Sequence, residues 1–432
     1  MKLTYYSTHK DHHNKPFFAS IHLRRENMGN WLEEKLLPAA SKLAQNKFLS
    51  AVRDGVTIVI PFTIIGAFAL IIGQFPIEAW MALTDQYADY IYCFSTVTLD
   101  CLGILALIGV AYNMAVQYEV DPISNTAVAV ATFFMLTLTP EGAVDTGVFS
   151  AAGMFCAIVV SYVVTMIYKF LVKHNITIKM PDGVPPAVAN SFTTLLPGLA
   201  CLLLAWLIRI VLHININDVI TALFSPLVKG MNSLPGYVLY VFLMCLLWVV
   251  GIHGDMTLAP ISEPITLALM AENMAAFAAR EPIPNIATFS TMFVVFSGTG
   301  CTIGLALNML LSKSKRYREL GKLSILPGMF NINEPVTFGA PVVMNPILAI
   351  PYIGVSVILT ICTWLLMQFN IIGRVCVEVP WTTPPIIGPY LATGFNIPAA
   401  IWNALEIVIS FLVYRPFFKR QEAIELEMEK ED

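Results

Sequence analysis

Residues 335–373 read PVTFGAPVVMNPILAIPYIGVSVILTICTWLLMQFNIIG, 39 positions without an Asp, Glu, Lys, Arg or His. A spanning helix needs about 20 mostly apolar residues, so the run holds one crossing with a remainder rich in proline and glycine. Asn331-Ile332-Asn333-Glu334 stands immediately before it. A carboxylate on the edge of such a run is costly in a bilayer. Ionisable groups at that depth usually face a cavity and mark substrate or ion paths. Glu334 is therefore the first candidate functional residue.

The rest of the chain supports a membrane setting. Of 432 residues, 57% are hydrophobic and 12% charged, against about 25% charged in soluble domains. Uncharged runs recur at 55–73, 101–118, 122–140, 146–168, 183–208, 234–252, 282–312 and 379–405, the last continuing across Glu406 to 414. The composition predicts an all-α polytopic membrane protein. The net charge of −4 gives no reason to expect a nucleic-acid partner. The eight cysteines show no CxxC or metal-ligand spacing and read as small buried hydrophobes; no metal or cofactor is expected. Residues 1–30 are polar, lack a signal peptide, and read as a solvated tail carrying His9, His12 and His13.

Basic residues set the orientation. Lys35, Lys42, Lys47 and Arg53 precede the first run, Lys169, Lys173 and Lys179 follow the fourth, and Lys313, Lys315, Arg316, Arg318 and Lys322 form the strongest basic loop. Arg415, Lys419 and Arg420 close the last run, whereas 74–100 holds Glu78, Asp85, Asp89 and Asp100 and no base. Both termini are expected in the cytoplasm, with about ten crossings. One of these lies within 255–279 despite Glu263 and Glu272. The proline-rich stretches 326–345 and 379–390 cannot face lipid and should be re-entrant or line a watery cavity. Residues 32–52 read as an amphipathic helix on the cytoplasmic surface, and the acidic 421–432 as a frayed, solvated helix end.

Three features could carry chemistry: Asn331–Gly339 with Asn333 and Glu334, the run Trp248-Val249-Val250-Gly251-Ile252-His253-Gly254-Asp255, and Val379-Pro380-Trp381-Thr382-Thr383-Pro384-Pro385. Together they supply a titratable pair, an amide, a carboxylate and two indoles on irregular backbone. Such groups suit a sugar: amides and carboxylates bond hydroxyls while indole faces cover C–H faces. His253 is either a satisfied structural histidine or a functional one, and its flanking glycines let backbone approach a ligand closely. Trp248 is either an interfacial anchor or a ligand wall. Trp381, in a proline-rich break, reads as a wall, and Trp31, Trp80 and Trp402 read as anchors. Glu263 either lines a cavity or sits in a loop, and Glu406 is placed to hydrogen-bond a neighbouring helix. Asn190 and Ser191, after the Pro181–Pro186 entry, face either a bundle interface or a cavity.

At Asn331-Ile332-Asn333-Glu334-Pro335-Val336, Gly251-Ile252-His253-Gly254-Asp255 and Val184-Pro185-Pro186-Ala187-Val188-Ala189-Asn190-Ser191-Phe192 the chain resembles the enzyme IIC components of the phosphoenolpyruvate-dependent sugar phosphotransferase system, and among them the lactose/cellobiose/diacetylchitobiose family. The resemblance covers nearly everything from Trp31 to about Arg420. It implies a homodimeric bacterial permease of ten spans with two re-entrant hairpins. The first half (31–180) would chiefly form the dimer and the second (181–420) would hold a disaccharide. The sugar would be phosphorylated by the phosphocysteine of a separate IIB partner, itself charged by IIA. Glu334 and His253 would lie by the reacting hydroxyl.

From these expectations follows a scheme. The sugar stacks on Trp381 and Trp248, is oriented by Asn333, Asn190 and Asp255, and loses its hydroxyl proton to Glu334 acting as general base. His253 orients that hydroxyl or neutralises developing charge. Two rivals remain: an ion-coupled secondary transporter with Glu334 and His253 as proton relay, and an intramembrane hydrolase, for which neither HExxH nor a nucleophile elbow is present.

Overall fold

The structure, a computed structural model, describes residues 45–431 apart from 140, 182, 296, 297 and 341, with Pro38 and Lys42 ahead of them. The chain divides after Gln45 into two compact units, and the fold described is that of Asn46–Asp432. Trp31 and most of the expected surface helix lie outside the described residues. The part from Lys47 onward is the first turns of a long helix, α1 (Lys47–Gly73), rather than a separate surface element. Asn46 starts it, its Oδ1 accepting the Leu49 amide at 3.1 Å, and no breaker intervenes before the apolar segment.

The regular elements of the described residues are helices, and six of them are long and apolar enough to cross a bilayer. In chain order the elements are α1, α2 (Glu78–Gln86), α3 (Ala88–Tyr118), α4 (Pro122–Leu136), α5 (Ala151–Lys173), α6 (Pro186–Trp206), α7 (Ile216–Met231) and α8 (Leu234–Val249). They continue with α9 (Gly254–Ala278), α10 (Thr291–Val295), α11 (Ile303–Leu310), α12 (Lys315–Gly328), α13 (Glu334–Gly339), α14 (Pro346–Gln368), α15 (Ile387–Ala392) and α16 (Ile397–Glu431). α7 and α8 meet at a 76° bend. α3 begins well before the expected 101, so Asp89 and Asp100 lie in a helix.

Small residues let the first helices pack backbone to backbone, as membrane interfaces require. A Cβ on Gly55 of α1 would lie 2.4 Å from Val110 Cα of α3. Asn125 of α4 is buried and donates to Ala111 O at 2.9 Å and Thr165 Oγ1 at 3.0 Å, tying α4 to α3 and α5.

Two expectations are corrected. Residues 282–312 do not form one continuous crossing: left-handed Gly298 (φ 73°) and Gly300 (φ 83°) divide the short α10 from α11, and Pro282 and Pro284 keep the approach non-helical. The acidic end is also not frayed, because α16 runs on to Glu431. Glu422 accepts Ser312 Oγ at 2.7 Å and Lys313 N at 2.6 Å, and Arg316 pairs with Glu425 at 2.9 Å. Glu429 accepts Ser314 Oγ at 2.7 Å beside the start of α12. The carboxylates thus cover the amide end of α12, where negative charge is stabilising.

Within the bundle Glu406 is fully buried and accepts Thr363 Oγ1 of α14 at 2.8 Å and Asn403 Nδ2 at 3.0 Å, the cross-helix role expected for it. Trp402 Nε1 donates to Thr363 Oγ1 at 2.8 Å, joining the same cluster. Cys156, Cys201, Cys245, Cys301 and Cys376 are buried as expected, whereas Cys93 is exposed.

Candidate functional site

The candidate residues come together where three helix interruptions meet. α8 stops at Val249, and Gly251 (φ 85°) turns the chain so that His253 caps α9. Its Nδ1 accepts the Met256 amide at 3.3 Å, which in the neutral ring leaves the proton on Nε2. The second interruption is Gly298–Cys301, and the third is the turn before α13, where Asn331 adopts φ 61°. Gly298 is needed there because a Cβ would sit 2.9 Å from Asn331 O. The loops are stitched together: Asn333 Nδ2 donates to Thr299 O at 2.6 Å, and Asn331 Nδ2 to Trp381 O at 2.6 Å and Thr383 O at 3.0 Å.

These loops enclose a cavity of about 430 Å³ lined by His253, Asp255, Asn333, Glu334, Trp248 and Trp381, among others. Its volume lies within the ~300–1,000 Å³ of small-molecule sites. Six of the seven sequence-predicted residues therefore share one chamber. Glu334, at the start of α13, is exposed to it and forms no ion pair with a described residue. Trp381 offers an indole 51% exposed.

Three residues differ from expectation. Trp248 is only 1% exposed, so it has no free face to stack on a sugar. Its Nε1 donates to Asp255 Oδ2 at 2.6 Å, and its ring packs on His253 with centroids 4.2 Å apart. It acts as a brace. Asp255 also accepts Thr299 Oγ1 at 3.1 Å on both oxygens and lies 4.0 Å from His253 Nδ1, so most of its acceptor capacity is taken by protein. Asn190 is not among the lining residues; it is an exposed residue of α6 whose Nδ2 reaches Asp121 Oδ1 at 3.4 Å.

The structure adds residues that sequence reading missed. Arg53 and Thr57 of α1 line the cavity with Tyr237 and Tyr240 of α8, and Glu263 joins them as a lining carboxylate rather than a loop one. Three polar atoms there have no hydrogen-bond partner among the described residues: Tyr237 Oη, Glu263 Oε2 and Asn331 Oδ1. Buried polar atoms are normally paired, so these point to a polar occupant. Arg53 gave only a topology signal in sequence, and Tyr237, in an apolar helix, gave none.

Apolar helices around an internal, aromatic-walled chamber that holds three carboxylates define a membrane protein with a solute site in its interior. Residues 53–355 match the family model for the phosphotransferase system EIIC proteins. The chain is 38% identical over 417 residues to the cellobiose-specific EIIC component of Geobacillus stearothermophilus, covering 90% of this chain and 92% of that one. It is 31% identical over 409 residues to the lactose-specific EIICB component of Staphylococcus aureus (strain N315), covering 89% of this chain and 71% of that one. The fold is similar to the crystal structure of the transporter ChbC, the IIC component of the N,N'-diacetylchitobiose-specific system, with TM-score 0.88, 34% identity, and 93% and 99% of the two chains covered. The chain belongs to the phosphotransferase system EIIC family. It is a sugar permease component of a bacterial membrane, acting with IIA and IIB components, and this membership does not favour the proton-coupled alternative.

Proposed function

We propose that the cavity binds a disaccharide of the cellobiose, diacetylchitobiose or lactose type, and that Glu334 and His253 receive the hydroxyl to be phosphorylated by IIB. The observation carrying this is the unpaired Glu334 carboxylate sharing one chamber with His253 and the open face of Trp381. Glu334 accepts the hydroxyl proton as oxygen attacks phosphorus. His253 offers Nε2–H, because Nδ1 is engaged by the Met256 amide. Asn333 holds the α13 loop to Thr299 and thereby places Glu334, while Asp255 and Trp248 fix His253. The phosphorylated sugar leaves inward, and its charge prevents return.

The protein works as a homodimer with both termini cytoplasmic. The excess of Lys and Arg around 313–322 supports this orientation. Cysteine labelling of the ends and light scattering of the detergent-solubilised protein test these points.

Glu334→Gln tests the base. Disaccharide affinity should stay within about tenfold, while IIB-dependent phosphorylation falls by about 10²–10⁴-fold. Normal phosphorylation by this variant would remove Glu334 from the mechanism.

A further inference from the structure

The charge inventory of the chamber is lopsided. Three carboxylates, Asp255, Glu263 and Glu334, line it with one guanidinium, Arg53. Phosphoryl transfer brings further negative charge, spread over the three non-bridging oxygens, and its catalysis is mainly positioning and electrostatic stabilisation. Such a group entering this chamber would face three carboxylates against one guanidinium. His253 offers a single remaining donor, Nε2.

Arg53 is suited to counter that charge. Its side chain is 23% exposed; Nε is held by Asp54 at 2.8 Å, and neither Nη atom hydrogen-bonds a described residue. Two free N–H edges of a planar fork match phosphate oxygens in geometry as well as charge. Its anchorage is rigid: Gly55, two residues on, is pressed against the α3 backbone, and Thr57 Oγ1 donates to Arg53 O at 2.7 Å. Glu263 lines the same chamber without an ion pair to Arg53 among the described contacts.

We propose that Arg53 is the phosphoryl-binding residue of the transfer step, its Nη donors receiving the non-bridging oxygens. In this step the sugar hydroxyl oxygen forms the new O–P bond, and the S–P bond of the phosphorylated IIB cysteine breaks. Its electron pair leaves on sulfur as thiolate, and the hydroxyl proton passes to Glu334. The inference rests on the function proposed above. It adds that a residue of α1 completes a site otherwise built from the second half of the chain, so transfer requires the sugar-bearing loops to lie against α1.

The test compares Arg53→Gln and Arg53→Lys with wild type in lipid vesicles, supplied with phosphorylated IIB and cellobiose. Three quantities are read: cellobiose affinity, transfer rate at saturating cellobiose, and inhibition by the phosphorylated disaccharide. For Arg53→Gln, cellobiose affinity should stay within about threefold while the transfer rate falls about 10²–10³-fold. Product affinity should fall about tenfold or more, as expected for a lost charged hydrogen bond. Arg53→Lys should recover part of both losses, keeping the charge without the fork. Wild-type transfer and product inhibition in Arg53→Gln would overturn the assignment. Parallel loss of all three quantities with a lowered melting temperature would also overturn it, assigning Arg53 a structural role. A wild-type protein that binds cellobiose yet accepts no phosphoryl group would instead overturn the permease mechanism, before any variant is compared.

Discussion

The reassignment of Trp248 from sugar platform to brace makes a quantitative prediction. Its indole N–H reaches Asp255 at 2.6 Å from a side chain only 1% exposed. A hydrogen bond to a charged group contributes about 1.5–3 kcal/mol, so Trp248→Phe and Asp255→Ala should each weaken cellobiose binding by roughly tenfold or more if that bond positions His253. Because both substitutions remove the same bond, the double variant should be little worse than either single one, with a coupling energy of about 1.5–3 kcal/mol. Trp381→Ala should behave differently. Stacking one indole face on a sugar covers on the order of 80 Å², which at ~25 cal/mol per Å² is about 2 kcal/mol, a loss of ~30-fold. That loss should add to either of the others. Isothermal titration of the purified protein with cellobiose measures all five variants needed, including the Trp248→Phe/Trp381→Ala pair. Strict additivity between Trp248 and Asp255 would refute the brace.

Asn190→Ala should leave cellobiose affinity within about twofold; a loss of tenfold in the same titration would return Asn190 to the site. Gly298→Ala should lower the thermal midpoint and weaken binding, because the added methyl meets Asn331 O at 2.9 Å in a left-handed conformation that costs about 1–3 kcal/mol; an unchanged melting curve would argue against this close approach. Glu422→Ala removes the acceptor for Ser312 Oγ and Lys313 N and should cost about 1–3 kcal/mol, read as a lower thermal midpoint with little change in cellobiose affinity. An unaltered midpoint would mean that the end of α16 is dispensable.

Much of the site was legible locally. Glu334, His253, Asp255, Asn333 and Trp381 stand at glycine, asparagine or proline interruptions of apolar runs, and an interrupted run in lipid needs a cavity or a partner. The residues missed or misplaced share another property: their partners are far along the chain. Arg53 lies on α1 and Glu263 on α9, and nothing near Arg53 distinguishes it from a loop cation. Trp248 has the composition of a sugar platform, and only the packing of Asp255, His253 and Phe338 around its ring shows that no face is free. The acidic end resembles a frayed tail until its carboxylates meet Ser312, Ser314 and Arg316.

The amino-acid order alone determined that this chain lives in a membrane, that it is helical, and which interruptions of its apolar runs come to line the cavity. These are desolvation questions, and the cost of placing a charge or an unpaired backbone in lipid depends on neighbours within a few turns. Tertiary structure alone decided which side chains face the cavity, which only support it, and that α1 contributes a cation to it. Those outcomes depend on which distant helices pack together, and a hydrogen bond or charge pair between them has no local precursor in the chain.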